Sequence, residues 1–193
     1  MFAALLLVHG SLFSQVPPAG EIYSRFGLGK PGKPIKGFEE GGFVMGENEV
    51  VVFMGQENLV REQKSGAMES ILASGFAEQK PRFRFMAWEA DTVFALGTEM
   101  ERWRRDGFRG IKGLGNLEQQ FDRLDVSVVI VQLGKNEAFT GRNGLEQFNA
   151  SADKLFNRLK ANGRRLVVVS PTPFEKALPP LPDNSRRNAD LKL

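Results

Sequence analysis

The sequence predicts an α/β protein in which three layers, α/β/α, are built around a doubly wound parallel sheet. Short β-rich runs alternate with longer stretches whose apolar residues repeat at helical spacing. Three of the four β-rich runs, Val-Val-Phe-Met, Val-Ser-Val-Val-Ile-Val-Gln-Leu and Leu-Val-Val-Val-Ser, are apolar on both faces, which is typical of parallel strands covered by helices on each side. Glycines follow the first and third runs, at Gly55 and Gly134. Together with right-handed crossovers, these features predict the strand order 2-1-3-4.

The first 42 residues precede this alternation. Residues 1–15 contain the apolar run Phe2–Val8 and no charged residue, which predicts a signal peptide and export to the periplasm or the extracellular space. A buried N-terminal helix or strand is the alternative interpretation of this segment. Residues 16–42 are rich in proline and glycine and are predicted to be an extended lead-in. The α/β domain is therefore assigned to residues 43–193.

Within this domain, the alternation assigns each element in order. The predicted strands are Glu49–Met54, Arg82–Ala87, Val126–Leu133 and Arg164–Ser170. Amphipathic helices are predicted over Asn58–Ser74 and Gly144–Asn162, with Gly163 placed to end the second. The segment Thr98–Gln120, where three arginines surround a tryptophan and several glycines follow, is interpreted as an excursion or lid at the active face.

Composition excludes several classes of function. The chain has 193 residues with no cysteine, which rules out disulfide frameworks, thiolate nucleophiles and cysteine-bound metals. The single histidine, His9, lies inside the predicted signal peptide, so a Ser-His-Asp triad cannot be assembled without it. The net charge of +3 comes from mixed signs along the chain and does not indicate nucleic-acid binding. No span across a membrane, cofactor or bound metal is predicted.

Ligands of open parallel sheets bind at the carboxyl ends of the strands, so the residues after each strand are the candidates for function. These residues are Gly55-Gln56-Glu57-Asn58, Ala87-Trp88-Glu89-Ala90-Asp91, Gly134-Lys135-Asn136-Glu137 and Ser170-Pro171-Thr172-Pro173. In this order and spacing they resemble the SGNH/GDSL-type acylhydrolases, over roughly Glu49 to Leu193. The resemblance implies a flavodoxin-like sheet from which the fifth strand is missing, in a C-terminally incomplete domain.

Carried over residue by residue, the resemblance implies a role for each strand-end position. Gly55 keeps the family's turn, but Gln56 replaces the family's aspartate and Glu57 stands at the nucleophilic serine. Ala90 stands at the glycine whose N–H joins the oxyanion hole. Gly134 begins the motif Gly-x-Asn-Glu, in which Asn136 corresponds to the oxyanion amide. Glu57 would repel the oxyanion that forms in acyl transfer, and the family's late Asp-x-x-His is absent from the sequence.

These departures predict a catalytically degenerate hydrolase domain that acts as a binding domain, with Gly55, Asp91, Gly134 and Glu137 as binding residues. A small acylated or carbohydrate-like compound is the expected ligand. One alternative is an active acylhydrolase completed by a segment outside this chain. Another is a carboxylate- or metal-dependent enzyme that uses Glu57, Asp91 and Glu137 as a group at the sheet rim.

The fourth predicted strand suggests self-association. Its core Leu166–Val169 is apolar on both faces, and the tail from Ala177 to Leu193 contains proline and polar residues that do not favour another strand. An uncovered edge of this kind pairs readily with a second chain.

Overall fold

The computed structural model describes residues 27, 29–30, 32, 42–96 and 116–192. The predicted signal peptide, most of the lead-in and residues 98–115 of the predicted lid lie outside the described residues. Across the described residues, no helix is long and apolar enough to cross a membrane.

The sheet confirms the predicted topology. It contains β1 (Val50–Gly55), β2 (Arg82–Phe85), β3 (Val126–Gln132) and β4 (Arg165–Val168). The strands are ordered β2-β1-β3-β4, and every neighbouring pair is parallel. Each strand agrees with its prediction within a few residues at either end. The carboxyl ends of β1 and β3 therefore lie side by side, with Gly55 paired in register with Gln132.

The helix prediction for Asn58–Ser74 is wrong in one respect, because two helices occupy this region. Helix α1 (Glu57–Ser65) ends at Gly66, which adopts a left-handed conformation with φ 65°, and α2 (Ala67–Gly75) begins directly after it. Glycine takes this conformation at little cost, and a left-handed residue interrupts the helical hydrogen bonds. The apolar periodicity continues across the break, so it did not reveal the turn.

Three further helices complete the described chain: α3 (Leu117–Leu124), α4 (Leu145–Leu159) and α5 (Ser185–Asp190). The prediction for Gly144–Asn162 is confirmed by α4, although the helix stops before Gly163, and Ala161–Gly163 forms a 3-10 turn. Helix α3 was not predicted, even though Asn116 and Gln119 form a complete capping box at its start. Two short 3-10 turns within Glu137–Gly144 follow β3, separated by a kink at Gly141, where φ is 66° and ψ is −163°.

Two hydrophobic clusters place helices on both faces of the sheet. Alternate β1 residues Val51 and Phe53 pack with Leu59 of α1, on the face that α2 also covers. Val52 and Met54 face the other side, where Phe121 of α3 and Leu155 of α4 complete the second cluster. The arrangement is the predicted three-layer α/β/α fold, with the central apolar strands β1 and β3 buried between the helices.

Helices α3 and α4 are joined by an ion pair. The guanidinium of Arg158 on α4 donates to both carboxylate oxygens of Glu118 on α3. Hydrogen bonding to Arg158 lowers the pKa of the Glu118 carboxyl below its ordinary value. The charged form of this acid is therefore the one that the folded protein favours.

Candidate functional site

The loops after β1, β2 and β3 meet at the carboxyl end of the sheet. The N–H of Gln56 donates to the carbonyl of Gln132 at 3.2 Å, and the N–H of Trp88 donates to the carbonyl of Gly55 at 2.9 Å. Gly55 has φ 129°, and a Cβ at this position would lie 1.9 Å from the Gln132 carbonyl oxygen. Only glycine fits so close to the neighbouring strand, which explains the residue that the resemblance places at this turn.

Gln56 links all three loops. Its side chain is 2% exposed. Its Nε2 donates to the carbonyl oxygen of Asp91 and to Oε2 of Glu137, each at 2.8 Å, and its Oε1 accepts from the N–H of Lys135 at 3.1 Å. A buried amide that makes these three bonds holds the loops in one arrangement. The resemblance places an aspartate at this position, and the amide gives the turn a bracing role that requires no charge.

The carboxylate of Glu137 receives three hydrogen bonds. Oε1 accepts from the N–H of Val93 at 2.6 Å, and Oε2 accepts from the N–H of Gly134 at 3.0 Å in addition to the Gln56 amide. Both oxygens are therefore bonded within the protein. Glu137 acts as a brace between the loops after β2 and β3.

Asn136, which the resemblance matches to the oxyanion amide, donates from Nδ2 to the carbonyl oxygen of Asp91 at 3.2 Å. The Asp91 carbonyl thus receives both the Gln56 and the Asn136 amides. At least one of the two N–H groups of Asn136 is consequently directed at the protein. Asp91 itself is fully buried, and its Oδ1 accepts from the N–H of Thr92 at 3.2 Å.

Ala90 adopts a left-handed backbone conformation with φ 58°. The resemblance places a glycine at this position, and the conformation is one that glycine adopts readily and alanine adopts at a cost. The loop after β2 therefore keeps a glycine-type backbone although the residue has a side chain.

Glu57 is the first residue of α1, where its charge is favourable to the helix dipole. Its Oε2 is buried and has no hydrogen-bond partner. Oε1 of Gln132 is likewise buried without a partner, whereas Nε2 of Gln132 donates to the carbonyl of Ser170 at 2.9 Å. In the described ranges, no group of three or more Asp, Glu, His or Cys side chains could hold a metal ion. Glu57, Asp91 and Glu137 therefore do not form the shared cation site that the metal-dependent alternative requires.

The predicted residues Gly55, Asp91, Gly134, Asn136 and Glu137 thus lie in one hydrogen-bonded group. The sequence interpretation listed Gln56 and Lys135 among the strand-end residues without giving them a role, and it did not include Val93; the amides of these three residues complete the group. A signal for Gln56 was present, since an uncharged polar residue directly follows a strand that is wholly apolar up to its glycine. Its partners could not be read from that position.

Two solved structures align with this chain. An alpha/beta hydrolase enzyme from the metagenome of Lake Arreo, Spain, aligns at a TM-score of 0.49 and 14% identity, over 76% of this chain and 70% of its own. A protein described as a GDSL-like lipase from Parabacteroides merdae aligns at a TM-score of 0.45 and 17% identity, over 69% of this chain and 63% of its own. The chain therefore spans less than two thirds of the second protein's length. No protein-family model and no curated protein matches the sequence.

Proposed function

We propose that this chain is an SGNH/GDSL hydrolase-like domain that has lost acyl-transfer chemistry and acts as a binding domain. The proposal rests on which residues occupy the strand-end loops and on what their side chains bind. Glu57 occupies the position of the nucleophile, and the amide of Asn136, at the oxyanion position, is bonded to a protein carbonyl. A carboxylate at the nucleophile position opposes the negative charge that develops in ester hydrolysis.

The missing base supports the same conclusion. A serine or threonine hydroxyl is a weak nucleophile until an adjacent base accepts its proton. The only histidine, His9, belongs to the predicted signal peptide. The carboxylate of Glu137 is occupied by three hydrogen-bond donors and serves as a brace.

The proposal includes a ligand and a location. We propose that the rim binds a small acylated or carbohydrate-like compound, because the braced loops hold together the strand-end residues to which the resemblance assigns the turn and the oxyanion amide. The segment 1–15 supports export to the periplasm or the extracellular space, and sequencing the N terminus of the mature protein tests this. Self-association through β4 is proposed as well, since the described sheet ends at that strand.

Ester hydrolysis tests the loss of catalysis. The purified chain and its Glu57→Ser variant are assayed with p-nitrophenyl acetate and butyrate. Both are expected to give rates equal to the buffer rate, because the variant gains a hydroxyl but no base. Turnover by the unaltered chain that disappears in Glu57→Gln would overturn the proposal in favour of a carboxylate-dependent enzyme.

Binding is tested with N-acetylglucosamine, which is both acylated and a carbohydrate. At about 10 mM, above the millimolar Kd of a weak ligand, it is expected to shift the backbone amide signals of Trp88 and Lys135. The exposed Glu175, in the chain after β4, provides a reference signal that should not move. Unchanged signals at the rim would contradict the proposed ligand class.

A further inference from the structure

A cavity of about 130 Å³ lies behind the loop that follows β3. Its apolar walls come from the end of β3, the start of α4, the chain after β4 and the end of α5, through Leu133, Leu145, Phe148, Pro171 and Leu191. An apolar cavity of about 150 Å³ holds one benzene molecule. The space therefore suits a compound of roughly one six-membered ring.

Small residues leave this space open. Gly134 and Gly141 line the cavity with positive φ angles of 111° and 66°, and Ala138 adds only a methyl group. A Cβ at Gly134 would lie 3.5 Å from Pro171 Cγ, so even one carbon would reach the opposite wall. These three small residues therefore keep this side of the cavity open.

The charged groups of the cavity give it a net negative character. Glu137 and Asp190 contribute two carboxylates, and Arg142 contributes one guanidinium. The Asp190 side chain is 12% exposed, whereas the Arg142 side chain is 73% exposed. Arg142 Nε lies 3.7 Å from Asp190 Oδ1, which is an ion pair longer than a hydrogen bond. Arg142 can therefore leave Asp190 for solvent at little cost.

The two carboxylates differ in what they can offer a ligand. Glu137 already accepts three hydrogen bonds inside the protein. Among the described residues, the carboxylate of Asp190 pairs with Arg142 alone, over this long distance. A largely buried carboxylate with unused acceptor capacity beside an apolar cavity recognises a cationic donor attached to an apolar body.

We propose that this cavity is a binding site for a small primary ammonium compound with an apolar ring or branched alkyl group. The ammonium group binds Asp190 in place of the Arg142 guanidinium, and the apolar group packs against Phe148 and Pro171. The site is distinct from the proposed rim ligand site, although Gly134 and Glu137 belong to both. It can be present whether or not the rim binds an acylated compound.

Benzylamine is the probe, and benzyl alcohol, which has the same ring without the charge, is its matched comparison. Binding to the full chain is followed by amide chemical shifts of the cavity residues and by the rise in Tm that a ligand of the folded state produces. Benzylamine is expected to bind at least about tenfold more tightly than benzyl alcohol, as expected for a hydrogen bond to a charged group. Equal affinities, or shifts that occur elsewhere on the protein, would overturn the assignment.

Two variants move the result in opposite directions. Asp190→Asn keeps the shape and removes the charge, so the preference for benzylamine over benzyl alcohol should vanish. Arg142→Ala removes the competing cation, so benzylamine should bind more tightly than to the unaltered chain. The exposed Arg186 on α5 provides the control Arg186→Ala, which should leave both affinities unchanged. If Arg142→Ala weakened benzylamine as much as Asp190→Asn did, the ammonium would not be replacing the guanidinium and the proposal would be wrong.

A cavity-filling variant tests the location independently of charge. Ala138→Leu places three additional carbons at the cavity wall and should abolish binding of both compounds. Its fold is checked by far-UV circular dichroism and by the hydrogen-bonded amide of Val93, which lies on the far side of Glu137. Retention of benzylamine binding in a folded Ala138→Leu variant would place the site elsewhere.

Discussion

Replacing Glu137 by glutamine tests whether the strand-end loops depend on this carboxylate. The substitution conserves the size of the side chain but exchanges one acceptor oxygen for an NH₂ group. If the amide oxygen takes the position that faces Gly134 and Gln56, the new NH₂ meets the N–H of Val93, which now has no acceptor. If the amide is turned over, two donors lose their acceptor instead of one.

The magnitude follows from the bonds that are lost. A hydrogen bond to a charged group contributes about 1.5 to 3 kcal/mol, and the remaining bonds weaken when their acceptor becomes neutral. Glu137→Gln is therefore expected to lower the free energy of unfolding by about 2 to 4 kcal/mol, measured by urea denaturation at pH 7. Hydrogen exchange of the Val93 amide should accelerate by more than that of amides in the middle of β3.

Glu89 supplies the matched control, because it is an exposed acid in the loop after β2. Glu89→Gln should change the free energy of unfolding by less than about 0.5 kcal/mol. A Glu137→Gln variant that is as stable as Glu89→Gln would refute the reasoning. Glu137 would then be a rim acid whose hydrogen bonds contribute little net stability, and it would again be a candidate for acid or base chemistry.

Four further outcomes are expected. Gly55→Ala should lower the free energy of unfolding by more than about 3 kcal/mol or prevent folding, because the new Cβ would overlap the Gln132 carbonyl. Thermal denaturation measures this, and unchanged stability would show that the turn can move. Ala90→Gly should raise the stability by about 0.5 to 1 kcal/mol, since glycine relieves the left-handed strain, and a loss of stability in urea unfolding would contradict this. Because the pKa of Glu118 is lowered in the folded state, its contribution is present above the unfolded pKa and is lost as the pH falls through the folded pKa. Glu118→Gln should therefore flatten the acid side of a Tm-against-pH curve, and an unchanged curve would exclude Glu118 as its source. Finally, in the described sheet β4 pairs with β3 on one side and has no strand on its other side, and Val168 is 55% exposed. Light scattering should therefore detect dimers or larger species. A stable monomer at high protein concentration would mean that this edge is covered.

The central strands were predictable because a strand buried on both faces requires a run of consecutive apolar residues. Val50 to Met54 are five apolar side chains that alternate between the two faces of the sheet, and both faces are covered by helices. The same reasoning predicted α4 from one apolar stripe. It did not detect the break at Gly66, because a single left-handed residue leaves the periodicity on either side intact. It also missed α3, whose start depends on a capping box at Asn116 inside a stretch rich in arginine and glycine.

The sequence by itself determined the four strands, their order in the sheet, helix α4 and the positions of the residues that follow each strand. These features depend on local periodicity and on general rules of chain connection. Only the tertiary structure decided what those residues do. The side chain of Gln56 forms hydrogen bonds with residues 35 and 81 positions away in the chain. Glu137 connects the loops because N–H donors from several of them surround its two carboxylate oxygens. Hydrogen bonds act over about 3 Å and in defined directions, so their partners are set by how the loops fold against one another and not by any spacing along the sequence.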